Sequence, residues 1–150
     1  MIELKLMSEE DFQIIKGKMI ADYSKSKVTI GVWAEEEALE LAKETFNTLL
    51  KNGLATKKHY FYNIYKNDEK IGYTWNAIPD REMFIYNVEV FEKYKDMEYE
   101  DEIMKKIEEN AKKLGANRIT VHLFGNSIEL LKMYQKMGYQ LTDITICKKV

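Results

Sequence analysis

Two neighbouring stretches of this chain carry residue types that could do chemistry: a strand bearing a carboxylate, and the acidic turn after it. Phe84-Ile85-Tyr86-Asn87-Val88-Glu89-Val90 reads as a strand from its β-branched and aromatic content. Asn87 and Glu89 fall on one face, opposite Phe84, Tyr86, Val88 and Val90. A carboxylate on a central strand is uncommon unless it is paired or lines a cleft. Glu89 is therefore a candidate general base, acting directly or through water. The alternative is a salt bridge to a lysine. The strand runs through a turn into a helix, and a helix N-terminus directs free backbone N–H groups outward, where phosphates bind. This turn has no glycine. From Glu92 to Glu102 the acids are Glu92, Asp96, Glu98, Glu100, Asp101 and Glu102, and the bases are Lys93 and Lys95. The acids suit the helix dipole, but they repel an incoming anion.

The elements that would position these residues follow from periodicity. Ile2, Leu4 and Leu6 alternate, predicting a strand over residues 2–7. Ser8 caps a helix carrying Phe12, Ile15, Met19 and Ile20, which frays near Ser24-Lys25-Ser26. Residues 27–33 then read as an ordered loop. Residues 35–50 predict an amphipathic helix with the stripe Leu39, Ala42, Phe46 and Leu49, stopped by Gly53. Strands at 60–65 and 71–75 flank a hairpin loop at 66–70, and 83–91 returns as a third strand. A helix at about 98–114, a strand at 119–123, a helix at about 127–137 and a last strand at about 141–149 complete the order. The crossover helix implies parallel pairing of 84–90 with 119–123. The expected fold is α/β: a mixed, mostly antiparallel central sheet with helices on both faces.

Composition narrows the function classes. The 150 residues suit one domain spanning 1–150 with one sizeable core. A net charge of −2 gives no basic surplus for nucleic acid or an anionic membrane. Apolar runs stay well short of the ~20 residues of a membrane span. The single cysteine, Cys147, excludes an intrachain disulfide and suits a reducing, cytoplasmic compartment. It reads as a small buried apolar residue. With two histidines and one cysteine, no metal site is expected. His59 reads as a surface or hydrogen-bonded residue and His122 as structural. Trp33, Trp75 and the tyrosines either build the core or line a cleft. Lys16, Lys18, Lys25, Lys27, Lys57 and Lys58 read as a solvated face.

The element order and several motifs together resemble the GNAT superfamily of acyl-CoA-dependent N-acyltransferases, over essentially the whole chain. Asn126, Leu131, Tyr134, Gly138 and Tyr139 are similar to its closing signature. Ile85-Tyr86-Asn87-Val88-Glu89-Val90 with Glu92-Lys93-Tyr94-Lys95 resembles its pantetheine-pairing strand and following turn. The resemblance implies acetyl-CoA as co-substrate, an amine acceptor (small molecule or peptide), and direct attack in a ternary complex. It implies that Val88 and Val90 pair with pantetheine, that Asn126 contacts the cofactor, and that Tyr134 protonates the leaving thiolate. Asn126 also suits a helix cap, and Tyr134 a core aromatic. The oligomeric state stays open, with a homodimer through an exposed sheet edge as one option. One motif departs. The family's Arg/Gln-x-x-Gly-x-Gly/Ala turn falls on Lys95, Asp96, Met97, Glu98, Tyr99 and Glu100, with glutamates at both small positions. A catalytically impaired module that keeps the fold and binds another ligand or a protein partner is the competing expectation.

Overall fold

The computed structural model describes residues 1–123 and 128–150. Its elements are β1 (Ile2–Leu6), α1 (Glu9–Thr29), α2 (Glu35–Leu49), β2 (His59–Lys66), β3 (Glu69–Ala77), β4 (Glu82–Val90), α3 (Glu100–Lys113), β5 (Arg118–Val121) and α4 (Ile128–Lys136). Short 3-10 turns occupy Gly53–Ala55 and Glu92–Met97. The sheet runs in the order β1-β2-β3-β4-β5. Its first three pairings are antiparallel, and β4 pairs with β5 in parallel, as the crossover helix requires.

Helices cover both faces of the sheet. On one, Phe12, Ile15 and Met19 of α1 and Ala42 and Phe46 of α2 pack with Phe61, Tyr73 and Trp75. On the other, Ile103, Met104, Ile107 and Ala111 of α3 pack with Ile64, Ile71, Met83 and Ile85. The β2–β3 hairpin turns on Asn67 and Asp68, both at positive φ, the pattern of a primed two-residue turn. It is tighter than the loop expected over 66–70. Gly72 sits where a Cβ would lie 2.0 Å from the Glu89 carbonyl oxygen. Only glycine lets β3 approach β4 this closely.

Several expectations are corrected. α1 does not fray at Ser24 but continues to Thr29. Ser26 and Thr29 donate their hydroxyls to the carbonyls of Asp22 and Lys25, one turn back, so these residues do not break the helix. Part of the loop expected at 27–33 is thus helical. Leu39 is 47% exposed; Ala38, Ala42 and Phe46 form the buried stripe instead. Small alanines let α2 come close to α1, which rotates Leu39 outward. α2 ends at Leu49 before Gly53, which opens a 3-10 turn at φ 55°. Residues 141–149 form no strand, and they are exposed together with Cys147, which is therefore not a buried apolar residue. Among the described residues no strand pairs with this tail, and unpaired backbone groups on a strand have to be satisfied by water.

Candidate active site

The β4–β5 pairing is short, and that creates the site. It runs from Glu82↔Arg118 to Ile85↔Val121 and stops. β4 continues to Val90 with β3 as its remaining partner among the described residues, from Trp75↔Asn87 to Gly72↔Val90. The sheet therefore opens between β4 and β5 beyond Ile85. The Phe91 N–H donates to the Ile71 carbonyl. By the two-residue alternation of a strand, Val88 and Val90 turn their N–H and C=O groups the other way, into the opening.

Tyr86 is an extra residue in β4: the register slips between Trp75↔Asn87 and Asn76↔Ile85. Such a bulge re-aims side chains. It brings Tyr86 onto Trp75, with ring centroids 4.5 Å apart, and onto His59 at 5.9 Å. Tyr86 therefore lies against the Trp75 side of the sheet, not opposite Asn87 as strict alternation predicts. The Trp75 indole N–H donates to His59 Nδ1 at 3.0 Å. Burial lowers the His59 pKa, so the ring is neutral near pH 7. His59, Trp75 and Tyr86 form an aromatic wall beside the bulge, with Tyr86 42% exposed.

Glu89 lies across from Tyr73 in the β3–β4 register. Lys18 Nζ of α1 donates to Glu89 Oε1 at 2.6 Å, and the Tyr73 hydroxyl donates to Oε2 at 3.0 Å. Asn87 Nδ2 donates to the Tyr73 oxygen at 3.3 Å, which fixes the direction of that hydroxyl. Lys18 also donates to Asp22 at 2.9 Å. Burial opposes the Lys18 charge, but its hydrogen bonds to Glu89 and Asp22 outweigh this and raise its pKa. Burial, then the Glu89 charge, hold the Tyr73 phenol far above its ordinary range, so it stays a donor. The Glu89 side chain keeps 23% exposure. The salt bridge to a lysine expected from sequence is present, and Glu89 also reaches solvent.

Tyr134 belongs to the opposite core layer, with Ile85 and Met83. It is 7% exposed and packs edge-on against Tyr139 at 5.3 Å between ring centroids. Burial raises its pKa. Tyr134 and Glu89 therefore sit on opposite faces of the sheet. Asn126 lies outside the described residues.

The acidic turn combines a backbone that gathers N–H groups with acidic side chains. Glu98 adopts the left-handed conformation, φ 55° and ψ 43°, and Tyr99 follows at φ −83°, ψ −5°. Left-handed backbone next to right-handed backbone makes a concave row of N–H groups. No side chain caps α3, whereas Ser8 Oγ caps α1 by accepting from the Asp11 N–H. Asp96, Met97 and Glu98 are exposed, and Tyr99 and Glu100 are half-buried. Lys95 is held by Glu92 at 2.9 Å. Among the described residues, no group of three or more His, Cys, Asp or Glu could hold a metal ion.

Lys18 and Tyr73 escaped sequence reasoning as site residues. Tyr73 meets Glu89 through a β3–β4 register that the bulge at Tyr86 shifts, and Lys18 is separated from Glu89 by 71 positions.

This opened sheet with a carboxylate beside the gap has clear relatives. The acetyltransferase (GNAT) domain profile matches residues 4–146, and the chain belongs to that family. It is 31% identical to the uncharacterized N-acetyltransferase YdgE of Bacillus subtilis (strain 168), covering 98% of this chain and 97% of YdgE. The crystal structure of YycN from Bacillus subtilis matches at TM-score 0.94 and 28% identity, over 100% of this chain and 99% of that one. PaiA N-acetyltransferase from Thermoplasma acidophilum, solved with coenzyme A, shares the fold at TM-score 0.68 and 17% identity, over 97% and 93% of the two chains. The protein is thus a GNAT-type acetyltransferase. Enzymes of this family take the acetyl group from acetyl-CoA.

Proposed function

We propose that this protein transfers an acyl group, most simply acetyl, from acetyl-CoA to an amine on a small molecule or peptide, by direct attack in a ternary complex. The observation that carries this reading is the opening beyond Ile85↔Val121, with the Val88 and Val90 backbone turned into it and Glu89 beside it. The pantetheine arm takes the place of a β5 continuation and pairs with Val88 and Val90. The donor's pyrophosphate meets the N–H row at Glu98, Tyr99 and Glu100, with Lys95, Asp96 and Met97 completing the turn and Asn126 contacting the arm further in. The acidic side chains weaken that contact, so strand pairing supplies most of the donor affinity.

The acceptor ammonium enters from the α1 side and gives a proton to Glu89, directly or through water. Its lone pair attacks the thioester carbon, a C–N bond forms, the nitrogen gives up its second proton to solvent and the C–S bond breaks. Tyr134 delivers a proton to the departing thiolate. Its raised pKa keeps the phenol protonated beyond the pH at which an exposed tyrosine ionises. Activity therefore persists at alkaline pH until the phenol titrates. The test is thiol release from acetyl-CoA against a panel of polyamines, amino acids, aminoglycosides and peptide N-termini. Amine-dependent release with N-acetylated product supports the reading; release that no amine accelerates contradicts it.

A further inference from the structure

We propose that Thr74 is a positioning residue for acyl transfer: its buried hydroxyl holds the bulge at Tyr86 in place and so keeps Glu89 on the α1 face of the sheet. The kinetic consequence rests on the reading of Glu89 as the base; the structural one does not. The bulge decides which face each residue of β4 serves. Ile85 belongs to the core layer under α3, and Val88 and Val90 pack against the same layer. Strict alternation from Ile85 would give that layer to Asn87 and Glu89 instead. The spare residue, Tyr86, reverses the alternation beyond it. Glu89 therefore meets Tyr73 and Lys18. A register without the bulge turns its carboxylate to the opposite face.

Two contacts hold the spare residue, one on each face of the sheet. On the α1 face it is the Tyr86 ring against Trp75. On the α3 face β3 places Thr74 opposite Val88 and Asn76 opposite Ile85. Thr74 and Asn76 are both 0% exposed, on the face that carries Ile71, Met83 and Ile85. Polar groups buried there are costly unless they are bonded, and valine would fill the volume of Thr74 without that cost. The bonds are present. Thr74 Oγ1 lies 3.0 Å from the Asn87 carbonyl oxygen and 3.0 Å from Asn76 Oδ1. A side chain of β3 thus grips the backbone of β4 at the residue that follows Tyr86.

Counting hydrogens sharpens this. The Thr74 hydroxyl has one hydrogen for two oxygens. Asn76 Nδ2, also buried, has no partner among the described residues. Half a turn of the Asn76 amide answers both: Nδ2 donates to Thr74 Oγ1, and the hydroxyl donates to the Asn87 carbonyl. Asn76 then orients Thr74, and Thr74 holds Asn87. A one-residue slip of β4 takes the Asn87 carbonyl out of reach and leaves both side chains unpaired in the core. The slipped register therefore carries the desolvation cost of buried polar groups, and the bulged one does not.

The test joins steady-state kinetics to the indole N–H resonances of Trp33 and Trp75, the two tryptophans of the chain. Trp75 reports on the bulge because Tyr86 stacks on it. Thr74→Val keeps the side-chain volume and removes the hydroxyl. Well below its Tm it is expected to shift the Trp75 resonance and to lower kcat by about tenfold to a hundredfold, the scale of a catalytic group displaced by ~1 Å. Thr74→Ser restores the hydroxyl and is expected to bring both back near wild type. An unshifted resonance with wild-type kcat overturns the proposal, and so does a Thr74→Ser variant no better than Thr74→Val. A shifted resonance with unchanged kcat overturns the positioning role, and Glu89→Gln then locates the fault. If Glu89→Gln lowers kcat, the base stands and the positioning claim alone falls. If it does not, the base reading falls and takes the kinetic claim with it. Should Thr74→Val fail to fold, the unmodified protein decides: the Thr74 hydroxyl proton is expected to exchange slowly with water, and exchange at the rate of a solvated threonine overturns the proposal.

Discussion

Glu89→Gln lowers kcat for amine acetylation by about 10²–10⁴-fold, the range for losing a positioned general base, while the KM for acetyl-CoA stays near its wild-type value. Glutamine fills the same volume and still accepts the Tyr73 hydroxyl, which now sits 3.0 Å from Oε2. The fold should not suffer. The Lys18–Glu89 pair is partly exposed, with side chains 46% and 23% accessible, and such pairs contribute only about 0–1 kcal/mol. Lys18→Ala separates the two roles of Glu89. If the carboxylate only neutralises Lys18, both variants have similar, small effects. If it accepts the acceptor's proton, Lys18→Ala keeps most of the activity and Glu89→Gln loses it. Steady-state kinetics with thermal unfolding as a control distinguishes these, and near-wild-type kcat for Glu89→Gln would remove the base from the account.

Glu98→Gly with Glu100→Gly tightens acetyl-CoA binding by about tenfold or more. Two like charges ~4 Å apart repel by ~1 kcal/mol in water and by several times that at a protein-like dielectric, and a tenfold change is about 1.4 kcal/mol. The gain should be largest at low ionic strength and shrink as salt screens the acids. Stability responds differently at the two positions. Glu98 holds a left-handed conformation, which costs a non-glycine residue roughly 1–2 kcal/mol. Glu98→Gly relieves that strain and should raise Tm. Glu100 opens α3, where glycine costs about 1 kcal/mol of helix propensity and removes a favourable dipole contact. Glu100→Gly should therefore lower Tm while still helping the donor bind. Calorimetric titration of the double variant and thermal melts of the single variants test this. Unchanged donor affinity would mean the acids do not face the pyrophosphate.

What the sequence could carry was whatever local chemistry decides. The strand read from Ile2, Leu4 and Leu6 and the Ser8 cap appear in place, although Leu6 itself is 73% exposed. The parallel β4–β5 pairing followed from the crossover helix alone. Readings failed where tertiary contact outvoted local pattern. Leu39 fits a helical stripe, yet the close approach of α2 through Ala38 and Ala42 turned it outward. Ser26 and Thr29 look like helix breakers until their hydroxyls bond to the preceding turn. The tail at 141–149 reads as a strand from composition, but a strand needs a neighbour, and among the described residues none pairs with it. At the site, Glu89 was visible as an odd carboxylate on a central strand. Its partners Lys18 and Tyr73 were not, because the bulge at Tyr86 sets the β3–β4 register and Lys18 comes from a helix 71 positions away. The left-handed backbone at Glu98 was hidden too. The side chain says glutamate while the conformation is the one glycine favours.

The central claim is that the donor lies in the β4–β5 opening in spite of the acidic turn. Isothermal titration of the unmodified protein with acetyl-CoA tests it most directly. The expected result is one saturable site per chain, competed by coenzyme A, with affinity that rises with salt as the acids of the turn are screened, because strand pairing at Val88 and Val90 carries the binding and the pyrophosphate contact does not. Absence of binding at millimolar acetyl-CoA, in the wild type and in the Glu98→Gly, Glu100→Gly variant alike, would contradict it.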